Sequence, residues 1–216
     1  MRNRVITVCA TLMLLYPAAA VQAGDTGVNM KAGTLGIGVE ISRSFSDRFS
    51  IGVGFNSYDH KTTDEASGIN YDFIFELQSA AVLANFHPFG GTFRFTGGVL
   101  FNNNELDLTG KPSGSAYVIN GTSYPAATVG DLTGKLTFNS TAPYLGIGWG
   151  NRPGAKVGLS VDIGVLNQGS PKLALATTGS VPGLAADLEQ ERRSAEEDLS
   201  DFKWYPVLSL GVYFRF

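Results

Sequence analysis

From residue 202 to the end the chain alternates. Phe202, Trp204, Pro206, Leu208, Leu210, Val212, Phe214 and Phe216 fall on one side, and Lys203, Tyr205, Val207, Ser209, Gly211, Tyr213 and Arg215 on the other. A period of two puts successive side chains on opposite faces of an extended strand, so this stretch predicts a strand with one apolar face. The same rule holds for Val157, Leu159, Val161, Ile163 and Val165, for Phe93, Phe95, Val99 and Phe101, for Leu35, Ile37, Val39 and Ile41, and for Phe49, Ile51, Val53 and Phe55. Tyr71, Phe73, Phe75 and Leu77 open a sixth, longer segment that runs to about Phe86, and Leu145, Ile147 and Trp149 belong to a seventh.

The connections alternate in length. They are short near Ser46-Asp47, at 88–91 and at 151–154, and long over 59–69, 104–135 and 169–201. Short and long turns therefore gather at opposite ends, as in a barrel that crosses an outer membrane. Closing such a barrel takes an even strand count, and Thr26 to Gly33 supplies the eighth, joined to the next by a tight turn near Gly33-Thr34. A soluble barrel would hide its apolar face and show Lys and Glu outside. Here the other face is rich in Gly and Ser with few charges, which fits a narrow filled lumen. Aromatic residues gather by depth. Phe45, Phe49, Phe86, Phe89, Phe93, Trp149, Phe214 and Phe216 fall near the short-turn end, and Tyr58, Tyr71, Phe101, Phe138, Phe202 and Trp204 near the long-loop end. Two such girdles mark the two interfaces of a bilayer. The fold expected is all-β: an eight-stranded antiparallel transmembrane β-barrel with long extracellular loops and one short acidic amphipathic helix between the last two strands.

Composition adds an address. Arg2 and Arg4, the apolar stretch Val5–Tyr16 and the small residues up to Ala23 read as a secretory signal peptide over 1–23, leaving 24–216 as one barrel domain. The single cysteine, Cys9, goes with the signal, so the mature chain has no thiol chemistry. With 27 glycines, 11% aromatic and only 16% charged residues among 216, the chain has the make-up of a strand-rich fold. The pI near 5.4 and the net charge of −3 argue against nucleic acid as a partner.

The ending Val212-Tyr213-Phe214-Arg215-Phe216 resembles the C-terminal signal of the small outer-membrane β-barrel proteins of Gram-negative bacteria, the OmpA, OmpX, OmpW and opacity-protein group. The stretches 85–91 and 142–150 are also similar to uncharacterised members. The resemblance implies residence in the cell outer membrane after export through the periplasm, contact with lipid and lipopolysaccharide, and a monomeric barrel. It also implies that Leu210, Val212, Phe214 and Phe216 are read by the barrel-assembly machinery, with periplasmic chaperones as partners during biogenesis. No cofactor or metal is implied.

Period two predicts that Glu40, Asp72, Glu76, Arg94, Lys156, Asp162, Lys203 and Arg215 point into the lumen, where buried charges require pairing. An ion-pair network that fills the barrel is one consequence; a narrow polar path or gate is the other. Residues 184–201 change to helical spacing, with Leu184, Leu188, Ala195 and Leu199 on one stripe, Ser180-Val181-Pro182 as the start signal, and Glu189–Arg193 and Arg192–Glu196 at i, i+4. Seven acids and two arginines give this segment a charge of −5. It rests on a barrel mouth, or acts as a lid. Residues 116–124 read as a hairpin with an Asn120-Gly121 turn, where Tyr117 faces Tyr124 and a contact surface is offered. Catalysis has little support: His60 and His87 fall at opposite ends, and the pair Asp59–His60 is the only candidate for protease-like chemistry at the outer rim. The chain therefore reads as a non-enzymatic barrel with a structural or surface-interaction role, a narrow OmpW-like channel for small solutes being the alternative.

Overall fold

The computed structural model describes residues 26–66, 69–112, 116–152 and 155–216, so the expected signal peptide lies outside the described residues. Eight strands form the barrel: β1 (Thr26–Gly33), β2 (Gly36–Ser44), β3 (Phe49–Ala66), β4 (Ile69–Phe86), β5 (Phe93–Asn102), β10 (Thr141–Trp149), β11 (Val157–Asn167) and β13 (Trp204–Arg215). Each pairs antiparallel with two neighbours, and β13 closes the ring onto β1 with Gly27 opposite Arg215 and Gly33 opposite Ser209. Closure removes every barrel edge, which a bilayer demands because lipid cannot hydrogen-bond an open strand. Leu159, Leu145, Ile37 and Leu210 stand outward and exposed, whereas Ser42, Ser50, Ser160 and Arg94 are buried inside.

The connection expected over 59–69 is strand, not loop. β3 and β4 have 18 residues each and stay in one unbroken register from Phe49↔Phe86 to Ala66↔Ile69. At about 3.3 Å per residue the pair reaches roughly 60 Å, twice what a bilayer core requires. Along β4 the apolar face changes sides. In the lower half Ser79, Ala81, Leu83 and Asn85 are buried inward and Val82 and Phe86 face out. In the upper half the same inward row carries Tyr71, Phe73, Phe75 and Leu77, and the outward row carries Asp72, Ile74, Glu76 and Gln78. Lipid rewards apolar groups outside and water rewards them inside, so the switch near residues 77–79 is the pattern a strand needs where it leaves a bilayer. This overturns the lumenal placement of Asp72 and Glu76, which follows from taking the apolar row Tyr71, Phe73, Phe75 and Leu77 as lipid-facing. Glu76 is exposed, and Asp72 pairs outside with Lys111 at 3.0 Å. Tyr71 leaves the outer girdle for the same reason.

Above the switch, β6 (Glu105–Pro112), β9 (Leu132–Thr137) and β12 (Lys172–Thr177) extend the sheet sideways from β4. Register keeps one face apolar through Phe73↔Leu108, Phe75↔Leu106, Leu106↔Leu136 and Leu136↔Leu173. The other face is polar, with Lys135 bridging Glu105 and Asp107. The hairpin of β7 (Ala116–Ile119) and β8 (Thr122–Pro125) turns through Asn120 and Gly121, both at positive φ, as expected for an Asn-Gly turn. A short helix α1 (Ala126–Val129) follows it.

Tyr117 and Tyr124 do pair across the hairpin, but both are buried. They form a core with Ile119, Val129 and Leu184, against which Tyr71, Leu132 and Leu188 pack. The tyrosines therefore hold the outer module together; the hairpin exposes Val118 together with the polar Asn120, Thr122 and Ser123. Helix α2 spans Leu184–Asp198 and starts at Gly183, at φ +87°, rather than from a Ser180 cap. Arg192 bridges Glu189 and Glu196, and Arg193 also pairs with Glu189.

The hairpin docks on α2 through the Tyr124 hydroxyl, which donates to Asp187 Oδ2 at 2.6 Å, and Asn120 Nδ2, which donates to Oδ1 at 3.0 Å. The Tyr124 bond, then the Asn120 bond, hold the Asp187 carboxyl below the usual carboxylate range. A depressed folded pKa gives stability that is whole above the unfolded value of about 3.9 and is lost as pH falls through the lower folded value. Proteolysis of the hairpin should therefore be slow from neutral pH down to about 4 and accelerate below it. In Asp187→Asn the hairpin should be cut faster already at pH 7, with little change on acidification; a wild-type-like acid transition in that variant would contradict this assignment.

Candidate functional site

The lumen is filled from its walls. Lys31 of β1 bridges Glu40 of β2 and, at 3.4 Å, Asp162 of β11; Arg94 of β5 completes the set by pairing with Asp162. Two cations thus meet two carboxylates across the barrel, all four being largely buried. Arg94 also donates to the Gly150 carbonyl at 2.8 Å, and Asn29 and Ser160 exchange hydrogen bonds beside the quartet. The glycines of this face make the room. A Cβ on Gly148 would lie 2.5 Å from Asp162 Oδ1 and 2.8 Å from Arg94 Cζ, and one on Gly164 would lie 2.5 Å from the Tyr144 hydroxyl. Narrow barrels are filled in this way, small residues facing large ones.

Toward the short-turn end, Arg215 donates to Ser44 Oγ at 2.6 Å and to Asn151 Oδ1 at 2.9 Å. Toward the long-loop end, Leu83, Leu100, Tyr144, Leu166 and Val207 close into an apolar layer with Ala81 and Ala142. Between the quartet and this layer lies a cavity of about 50 Å³, bordered by Lys31, Glu40, Arg94, Tyr144 and Asp162. That is room for a few water molecules.

Of the eight charges expected inside, Glu40, Arg94, Asp162 and Arg215 are buried in the lumen. Asp72 and Glu76 stand above it on the outward face, and Lys156 and Lys203 are exposed at its two mouths. The latter two have the inward parity but sit beyond the paired strands, where water replaces a partner. Lys31 went unread. Its signal is the row Gly27, Asn29 and Lys31, opposite Val28, Met30 and Ala32, in the strand whose alternation is faintest. Leu210, Val212, Phe214 and Phe216 face outward and exposed. Both expected girdles have outward members: Phe49 stacks on Phe86 at 4.8 Å and Phe93 meets Trp149 at a tilt, 5.5 Å between ring centroids, at one end, with Phe101 and Trp204 exposed at the other.

The histidines are as far apart as expected. His60 lies high on β3, stacked on Tyr58, while His87 is buried in the turn after β4 with Nδ1 2.9 Å from the Gly91 carbonyl. Asp59 and His60 are consecutive on a strand and point to opposite faces, so they make no catalytic pair. Among the described residues no cluster of His, Cys, Asp and Glu could hold a metal ion.

Removing one member of a buried pair leaves a charge unmatched, at about 3–5 kcal/mol. Arg94→Met should lower unfolding stability in urea by about that amount. Arg94→Met combined with Asp162→Leu leaves Lys31 with Glu40 intact and should recover a large part of the loss. Equal losses in the single and double variants would contradict the pairing.

No family model and no curated protein matches the chain. Solved structures do. Acinetobacter baumannii CarO2 aligns at 25% identity and a TM-score of 0.62, over 90% of this chain and 100% of that one. Acinetobacter baumannii CarO aligns at 23% identity and a TM-score of 0.61, over 89% and 98%. Neisserial surface protein A aligns at 12% identity with a TM-score of 0.31, too low to add to the fold assignment. The closed eight-stranded antiparallel ring, with apolar side chains outside and charges within, together with its likeness to CarO2 over nearly the whole chain, makes this a small β-barrel protein of the outer-membrane type.

Proposed function

We propose that the protein resides in the outer membrane as a closed barrel, with its short turns in the periplasm, and serves to hold a folded module at the cell surface. The observation that carries this reading is the lumen: a charge quartet topped by an apolar layer, with a cavity of about 50 Å³ beside them. An interior so filled passes nothing of solute size without rearranging. The outer part, by contrast, is elaborated into a five-stranded sheet, a hairpin and a helix with a hydrophobic core of their own. Residues invested there favour a structural or surface-interaction role over transport and over catalysis.

The lipid-facing row Leu210, Val212, Phe214 and Phe216 supports the terminal strand as the segment read by the barrel-assembly machinery, after chaperoned passage through the periplasm. Because every barrel strand has two partners, no barrel edge invites association, which favours a monomer surrounded by lipid and lipopolysaccharide.

The mature protein refolded into planar bilayers, with a heat-modifiable gel shift to verify the closed barrel, should show no single-channel openings. Discrete openings whose ion selectivity changes in Arg94→Gln would instead establish a narrow channel for small solutes.

A further inference from the structure

The acids that could pair with exposed cations gather at one end of the molecule. At the long-loop end Lys111 pairs with Asp72, Lys135 with Glu105 and Asp107, and Arg192 and Arg193 with helix carboxylates. At the short-turn end Arg43, Arg48, Arg152 and Lys156 have no ion pair or side-chain hydrogen bond among the described residues, and Asp47 is the one described acid nearby. These four come from two of the three short turns, β2–β3 and β10–β11, and the strand ends beside them, which lie on opposite sides of the barrel's lower mouth.

Their neighbours say what they meet. Arg43 continues the outward row of Ile37, Val39 and Ile41 and lies opposite Ile51, so its guanidinium lies at the foot of a lipid-facing column. Phe45 precedes Arg48 in one turn and Trp149 precedes Arg152 in another; both aromatics are outward and exposed. An aromatic girdle marks the depth of the lipid headgroups, and a long basic side chain just beyond it reaches the phosphate layer.

We infer that the basic rim formed by Arg43, Arg48, Arg152 and Lys156 binds the anionic headgroups of glycerophospholipids in the membrane leaflet at the short-turn end. The inference rests on the proposed membrane residence. The long-loop end also has cations without an ion pair among the described residues, Lys61, Lys172 and Lys203, but there they stand among the acids of residues 184–201, which alone carry −5. The molecule is thus electrically asymmetric, and the headgroups of one leaflet supply the anions that its own chain withholds from the lower rim. Each cation near an anionic surface raises local lipid affinity by roughly fivefold at low salt.

The two tryptophans read the two ends separately, Trp149 in the lower girdle and Trp204 in the upper. The full mature protein, carrying either Trp204→Phe or Trp149→Phe, is refolded into phosphatidylcholine vesicles and verified by the heat-modifiable gel shift. Brominated phosphatidylglycerol or brominated phosphatidylcholine is then added at equal mole fraction. Brominated phosphatidylglycerol should quench Trp149 severalfold more effectively, quench Trp204 no better than its zwitterionic counterpart, and lose its advantage in 1 M salt. The variant R43Q/R48Q/R152Q/K156Q changes only turns and strand ends and should remove the Trp149 preference while still folding. Equal quenching by the two lipids in the folded protein, or a preference that survives the four substitutions, would overturn the inference while leaving membrane residence intact. Selective binding of a soluble anionic polymer to the rim, without lipid preference, would overturn it in favour of a periplasmic partner. Failure to fold into any vesicle would overturn the membrane reading and the inference together.

Discussion

Eight strands leave an interior only as wide as the side chains that line it, and this constraint organises the rest of the molecule. Charges placed inside must neutralise one another at contact distance, as Lys31, Glu40, Asp162 and Arg94 do. Large groups must face small ones, which is why Gly148 lies beside the Arg94–Asp162 pair and Gly164 beside Tyr144. An apolar layer around Leu100 and Leu166 then closes the remaining space. Once the lumen has been filled in this way, the parts free to act on other molecules are the two ends and the lipid-facing wall.

The wall and the outer module obey the same hydrophobic effect in different solvents. On the proposed membrane residence, lipid surrounds the barrel below residues 77–79 of β4, where apolar residues face out, and water surrounds it above, where Phe73, Phe75, Leu106 and Leu136 share the opposite face. The extended β3–β4 pair carries the sheet across this boundary without a break in register. The long connections are consequently folded rather than loose: β6, β9 and β12 continue the sheet, and the hairpin and α2 enclose Tyr117, Tyr124 and Leu184.

The barrel was legible because period two is a strong signal where one face meets lipid and the other a narrow interior. All eight strands lie where alternation puts them, including Thr26–Gly33, and α2 follows from the spacing of its leucines. What stayed hidden depends on context that a local pattern does not contain. Asp72 and Glu76 sit in a perfectly alternating segment, but alternation does not say which solvent surrounds it. Tyr117 and Tyr124 look like surface groups until α2, some 60 residues on, supplies a partner for each side of the hairpin. Lys31 was missed because Val28, Met30 and Ala32 make a weak apolar row, and its role depends on Asp162 more than a hundred residues away. Of the candidate site, the buried half was readable from parity; the pairing within it required the strand register.

The change of solvent along β4 can be measured directly. Spin labels placed singly at each residue from 70 to 86 in the protein refolded into vesicles report access to oxygen, which partitions into lipid, and to a water-soluble nickel complex. The account predicts oxygen access at positions 80, 82, 84 and 86 and nickel access at 72, 76 and 78, with the alternation continuous but the medium exchanged between them. Oxygen-rich signals persisting at 72 and 76, or nickel access at 82 and 84, would contradict it.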